Sequence, residues 1–136
     1  MLSRRKFSAC AICAIAGFAA TAVEAQAQSA GGINRTILQK TEFPEKYMVI
    51  TAIVDIPAGA TAARHTHPGV ESAYVLEGQS VLSVQGQPVR TVKAGDSFQI
   101  AAGTPHGARN GDKPQKLIVT YVVEKDKPLA AIVPTK

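Results

Sequence analysis

Residues 59–78 read GATAARHTHPGVESAYVLEG, and the fold is decided there. His65 and His67 stand two positions apart. Side chains at i and i+2 of an extended chain leave the same face, so the two imidazoles can converge on one point. Pro68-Gly69 follows with turn chemistry, which returns the chain so that the Glu71 carboxylate can reach that point too. Ser72 to Leu76 then reads as a strand closed by Glu77-Gly78. The stretch predicts strand, turn, strand, with donor side chains gathered at the turn.

Working outward, the same pattern repeats. Tyr47 to Ile56, Val81 to Val84, Val89 to Val92, Ser97 to Ile100 and Leu117 to Val123 are short apolar or β-branched runs. Pro57-Ala58-Gly59, Gln85-Gly86-Gln87-Pro88, Ala94-Gly95-Asp96 and Asn110-Gly111-Asp112 punctuate them with residues that supply positive φ or a fixed φ. From Ile33 onward no stretch has the period of an amphipathic helix. Evenly spaced short strands with this punctuation predict an all-β sandwich or barrel. Gln26 to Gly32 reads as a flexible lead-in and Asp126 to Lys136 as a tail.

With 136 residues the chain has room for one domain, which excludes two-domain cofactor architectures. Hydrophobic residues make up 46 %, enough for an ordinary core without disulfide staples. The formal net charge of +5 falls to +3 without Arg4, Arg5, Lys6 and Glu24, which lie in a segment read as removed. A balance that modest gives no reason to expect nucleic-acid binding.

That segment is residues 1–27. Ser3-Arg4-Arg5-Lys6-Phe7 is a basic start, Ala9 to Val23 an apolar run, and small-residue cleavage sites end at Ala25 and Ala27. The run is shorter than the ~20 residues of a spanning helix, which favours a cleaved export signal over a membrane anchor. The paired arginines resemble the twin-arginine type, which implies export of a folded protein to the periplasm or beyond. Cys10 and Cys13 fall inside the signal, so residues 28–136 carry no thiol ligand and no disulfide.

The chemistry lies in the histidines. The third, His106, is set among Gly103, Pro105 and Gly107, where the backbone aims the side chain. Three imidazoles and one carboxylate suit a borderline-hard divalent ion: Mn, Fe, Co, Ni or Zn.

These residues carry a family resemblance. Gly59, His65, His67, Glu71 and Gly78 stand at the spacing of the first cupin motif, G(x)5HxH(x)3-4E(x)6G. Gly95, Gly103, His106 and Asn110 are similar to the second, G(x)5PxG(x)2H(x)3N, with Ala101 where the family has Pro. That departure concerns a turn rather than a ligand. The resemblance covers about Ile33 to Val123. It implies a six-to-eight-stranded jelly-roll barrel of two packed antiparallel sheets, with one divalent metal in its mouth held by His65, His67, Glu71 and His106. Cupins with this ligand set include dioxygenases, oxalate-degrading enzymes, isomerases and lyases, and Glu71 could also serve as a base. Fold and metal do not by themselves separate such an enzyme from a non-catalytic binding or sensing barrel or a metal buffer.

Further residues are weighed around this centre. Arg64 has the opposite strand parity to His65 and should point away from the ligand face. Tyr121 and Gln99 are placed to line the barrel, and Arg109 to attract an anion to its mouth. Asn110 reads as a turn-former rather than a ligand. Tyr74 and Leu76 face away from Glu71 yet are large and apolar, and Val49 to Ile56 is apolar on both faces. A homodimer covering those faces is expected, and a small-molecule ligand is the expected partner of the barrel.

Overall fold

The computed structural model describes the backbone of residues 27–30 and the whole of residues 32–134. Residues 1–27, read as an export signal with Cys10 and Cys13, lie outside the described residues save for Ala27. No α-helix occurs among the described residues. The strands are β1 (Ala27–Ala30), β2 (Ile33–Phe43), β3 (Tyr47–Ile56), β4 (Thr61–Thr66), β5 (Gly69–Glu77), β6 (Gln79–Val84), β7 (Arg90–Lys93), β8 (Ser97–Ile100), β9 (His106–Asn110), β10 (Gln115–Glu124) and β11 (Ala131–Ile132). They form a six-stranded sheet in the order β1-β2-β3-β10-β5-β8 and a five-stranded sheet in the order β11-β4-β9-β6-β7. Every pairing is antiparallel.

The two sheets close on one core with alternate residues of the central strands turned inward. Ile50, Ala52, Val54 and Ile56 of β3 are buried, as are Leu117, Val119, Tyr121 and Val123 of β10 and Ala73 and Val75 of β5. Their strand neighbours Tyr74 and Leu76 are exposed, and Val49, Thr51 and Ile53 are half-buried. Fully burying one Val, Leu or Ile side chain contributes about 1.5–3 kcal/mol, so the inward set dominates the stability. Ten consecutive residues of β10 pair with β3, which fixes the register of the central strands. Gly78 turns the chain from β5 into β6 at φ +75°, and a Cβ there would lie 2.1 Å from the Pro114 carbonyl oxygen. Only glycine meets both conditions.

The architecture is the expected two-sheet barrel, with more strands than six to eight. The additions are partly polar segments without a strong period: β2, β9 and the short end strands. Ala27–Ala30, read as a flexible lead-in, pairs with β2. The carboxy-terminal tail is likewise recruited, since Ala131 and Ile132 pair with Thr66 and His65 of β4. Gly69, read as part of a turn, instead opens β5. Its missing Cβ would lie 2.0 Å from the Val122 carbonyl oxygen, so glycine lets β5 close on β10 beside Glu71.

Candidate metal centre

Two cross-strand registers, one in each sheet, build the site. In the six-stranded sheet Glu71 of β5 lies opposite Tyr121 of β10. In the five-stranded sheet His65 of β4 lies opposite His106 of β9. The β4–β9 ladder slips between Ala62 and His65, and such a bulge re-aims the residue that follows it. His67 sits just beyond β4, where its carbonyl accepts the Gly103 N–H at 2.9 Å, tying the turn before His106 to the first histidine pair. The ligand atoms of His65, His67, Glu71 and His106 lie within 4.8 Å of one another, and all four residues are buried.

Backbone carbonyls orient all three rings. The Nδ1 atoms of His65, His67 and His106 lie 2.7, 2.6 and 2.9 Å from the carbonyls of Ala63, Leu129 and Thr104. Assigning the proton to Nδ1 in each ring leaves the Nε2 lone pairs facing inward, the tautomer a metal ligand needs. His67 Nε2 stands 2.9 Å from Glu71 Oε2 yet makes no hydrogen bond. Two lone pairs facing each other at that distance in a buried place are stable only with a cation between them. The residues therefore fit a divalent metal ion.

Electrostatics agree with the geometry. Burial, with lesser help from the neighbouring histidines, lowers the pKa of His65 to about 4, so its imidazole is neutral at physiological pH. Burial pushes Glu71 up, but the imidazoles of His106 and His67 beside it outweigh that and hold the carboxyl at about 2. His106 moves the other way: burial lowers its pKa, and the Glu71 contact at 3.1 Å with the Thr104 carbonyl more than offsets that.

The family now follows from sequence and site together, since the cupin domain model matches residues 52–121. The chain belongs to the cupin family. Among curated proteins this cupin is similar to dimethylsulfoniopropionate lyase DddQ of Ruegeria pomeroyi, 32 % identical over 69 residues, which cover 51 % of this chain and 34 % of that one. It is similar to the HTH-type transcriptional regulator PuuR of Escherichia coli, 43 % identical over 54 residues, 40 % of this chain and 29 % of that one. The matches thus span about a third of each relative. Among solved structures, KdgF from Halomonas sp. superposes with a TM-score of 0.61 at 24 % identity, over 74 % of this cupin and 90 % of that chain. The DddQ structure superposes with a TM-score of 0.62 at 20 % identity, over 80 % of this cupin and 61 % of that chain. Both likenesses are of fold.

Beside the four donors lies a cavity of about 50 Å³ running into the barrel between walls that include Val54, Leu82, Phe98 and Leu117. Tyr121 lines it as expected: its ring packs 5.0 Å from that of His67, and burial, then the Glu71 charge, pushes the phenol up to about 12. The other weighed residues do not join it. Gln99 is exposed and meets Ser72 on the outer face. Arg109 is exposed too, and Arg64, pointing away as its parity requires, donates to Gln85. Asn110 is buried away from the donors. Its amide donates to the carbonyls of Ile56 and Pro57, clipping β9 to the end of β3.

Two cavity residues were not foreseen. Arg35 lines it with its Nε buried and without a partner, and Gln115 lines it at 2 % exposure with both amide atoms unpartnered. Sequence patterning passed over Arg35 because polar β2 reads as non-strand, and Gln115 because it precedes the apolar run of β10. An inward parity for Gln115, two residues before Leu117, was the available signal.

Proposed function

We propose that this cupin is a divalent-metal-dependent enzyme acting on a small oxygen-bearing metabolite, with a lyase-type reaction favoured over a dioxygenase or isomerase. The observation that carries the reading is the set of three Nδ1-anchored histidines converging with an ionised Glu71 beside an internal cavity. The likeness to dimethylsulfoniopropionate lyase supports the choice of reaction class. His65, His67, Glu71 and His106 would hold one ion of Mn, Fe, Co, Ni or Zn, which supplies Lewis acidity toward a chelating oxygen. Glu71 lines the cavity with no proton of its own at neutral pH, so it is the group placed to accept a proton from the ligand. Tyr121 keeps its proton at neutral pH and can donate a hydrogen bond to a developing oxyanion.

We further propose that the protein acts outside the cytoplasm, exported by a twin-arginine-type signal that is cleaved after Ala25 or Ala27, and that the metal travels inside the folded barrel. The outer face of the six-stranded sheet, with exposed Val70, Tyr74 and Leu76, would be covered by a second copy. Sedimentation at the mass of one chain would count against that dimer.

The likeness to PuuR favours a second reading, a non-catalytic barrel that senses a small molecule. Elemental mass spectrometry on natively exported protein, purified without chelator beside His67→Ala, tests the first reading. A stoichiometric metal lost in the variant, with turnover of a chelating substrate, supports it; a metal and ligand affinity without turnover points to the sensor. Absence of metal from both samples sinks the four-donor site.

A further inference from the structure

We propose that Arg35 is the specificity-determining residue of the cavity, binding the carboxylate of a small ligand whose remaining oxygen faces His65, Glu71 and His106. This rests on the metal-dependent reading above and names the ligand class for it: short monocarboxylates with a second oxygen on the adjacent carbon.

The register places Arg35 inside. Its Cα is opposite Val54 of β3, a core residue, and side chains directly opposite in an antiparallel pair share a face. Arg35 therefore projects between the sheets, where the residue is half-buried. It reaches the Tyr121 hydroxyl, which also neighbours Glu71. Yet Arg35 forms no salt bridge among the described residues, and its buried Nε has no partner.

A half-buried guanidinium whose Nε is buried without a partner at the wall of a largely apolar cavity favours an anion there. Glu71 is the one carboxylate lining this cavity, and its Oε2 is engaged with His67 and His106. A divalent ion on the donors would make the cavity still more positive, because one carboxylate cannot neutralise two cationic centres. The missing charge has to come from the ligand, and the planar guanidinium fork matches a carboxylate.

Size and access agree. At 10–15 Å³ for each water-sized centre, a cavity of about 50 Å³ takes roughly three to five heavy atoms. Arg35 and His65 also line a second groove of about 160 Å³, bounded by Thr61, Ala63, Ala130 and Ile132. Arg35 thus stands between that groove and the donors, where it can select an entering anion.

The test is calorimetric binding of glycolate and its uncharged counterpart glycolamide to the metal-loaded protein, with metal content measured on the same samples. Wild type should prefer glycolate about tenfold or more. Arg35→Met should lose the preference and Arg35→Lys keep part of it, with metal content unchanged in both. Should Arg35→Met fail to fold, the smaller loss in Arg35→Lys carries the comparison. Equal binding of acid and amide to wild type, or an undiminished preference in the variants, overturns the proposal. A metal-free wild type that keeps an Arg35-dependent preference would overturn the metal-dependent reading and leave the anion site standing.

Discussion

The imidazole Nδ1 of His67 is anchored 2.6 Å from the main-chain carbonyl of Leu129, a residue 62 positions further along the chain. The same carboxy-terminal segment pairs Ile132 with His65 and donates the Val133 N–H to the Arg64 carbonyl at 2.9 Å. Two of the four donors are therefore oriented by a strap rather than by the barrel alone.

Removing residues 128–136 should consequently weaken metal binding by about 10–100-fold, the usual cost of losing such an orienting partner. Competition against a chelating dye measures the affinity, and far-UV circular dichroism should report an intact β fold. Unchanged affinity in the truncated protein would show that the strap does not orient the ring.

Stripping the metal with chelator should lower the melting temperature. A ligand at a hundred times its Kd stabilises the fold by about 2.7 kcal/mol, which for a domain of this size is on the order of 10 °C. In His67→Ala the melting temperature should respond neither to chelator nor to added metal, as scanning calorimetry would record.

Acid should unfold the metal-free protein partly through Glu71. Its carboxyl sits at about 2 in the fold against an ordinary 4.5, so the unfolded chain binds the extra proton between those values. The stabilisation is present above pH 4.5 and lost as pH falls towards 2. Glu71→Gln has no proton to take up, and its denaturation free energy should fall less steeply across that window in urea titrations.

Gln115→Met should raise stability by about 1 kcal/mol, or a few degrees in melting temperature. The buried amide satisfies neither its donor nor its acceptor, and the thioether fills a similar volume without a desolvation cost. A melting temperature equal to or below that of wild type would mean that bound water satisfies the amide.

Much of this was legible in the residues. The inward face of β5 follows from parity with Glu71, which Ala73 and Val75 share, whereas β3 is apolar on both faces and its inward set is decided by pairing with β10. His65, His67 and Glu71 could be grouped from spacing alone, since one turn separates them. His106 joined them as the third histidine, aimed by a turn-rich setting of Gly103, Pro105 and Gly107, and the family motif names the same four residues. Ser97–Ile100 was bounded as observed, whereas β2 and β9 escaped because mixed polar segments lack a strong period.

What the sequence determined by itself, then, was the set of elements and the chemistry of the donors, both written in neighbours a few residues apart. The tertiary structure decided which remote segments meet them. Arg35 faces inward because β2 pairs with β3 in one register, and the Leu129 carbonyl reaches His67 because β11 adds to the edge of β4. Long-range pairing depends on burying whole faces at once. No window of local sequence contains that free energy, so the anion-facing arginine and the orienting strap become visible only when the barrel closes.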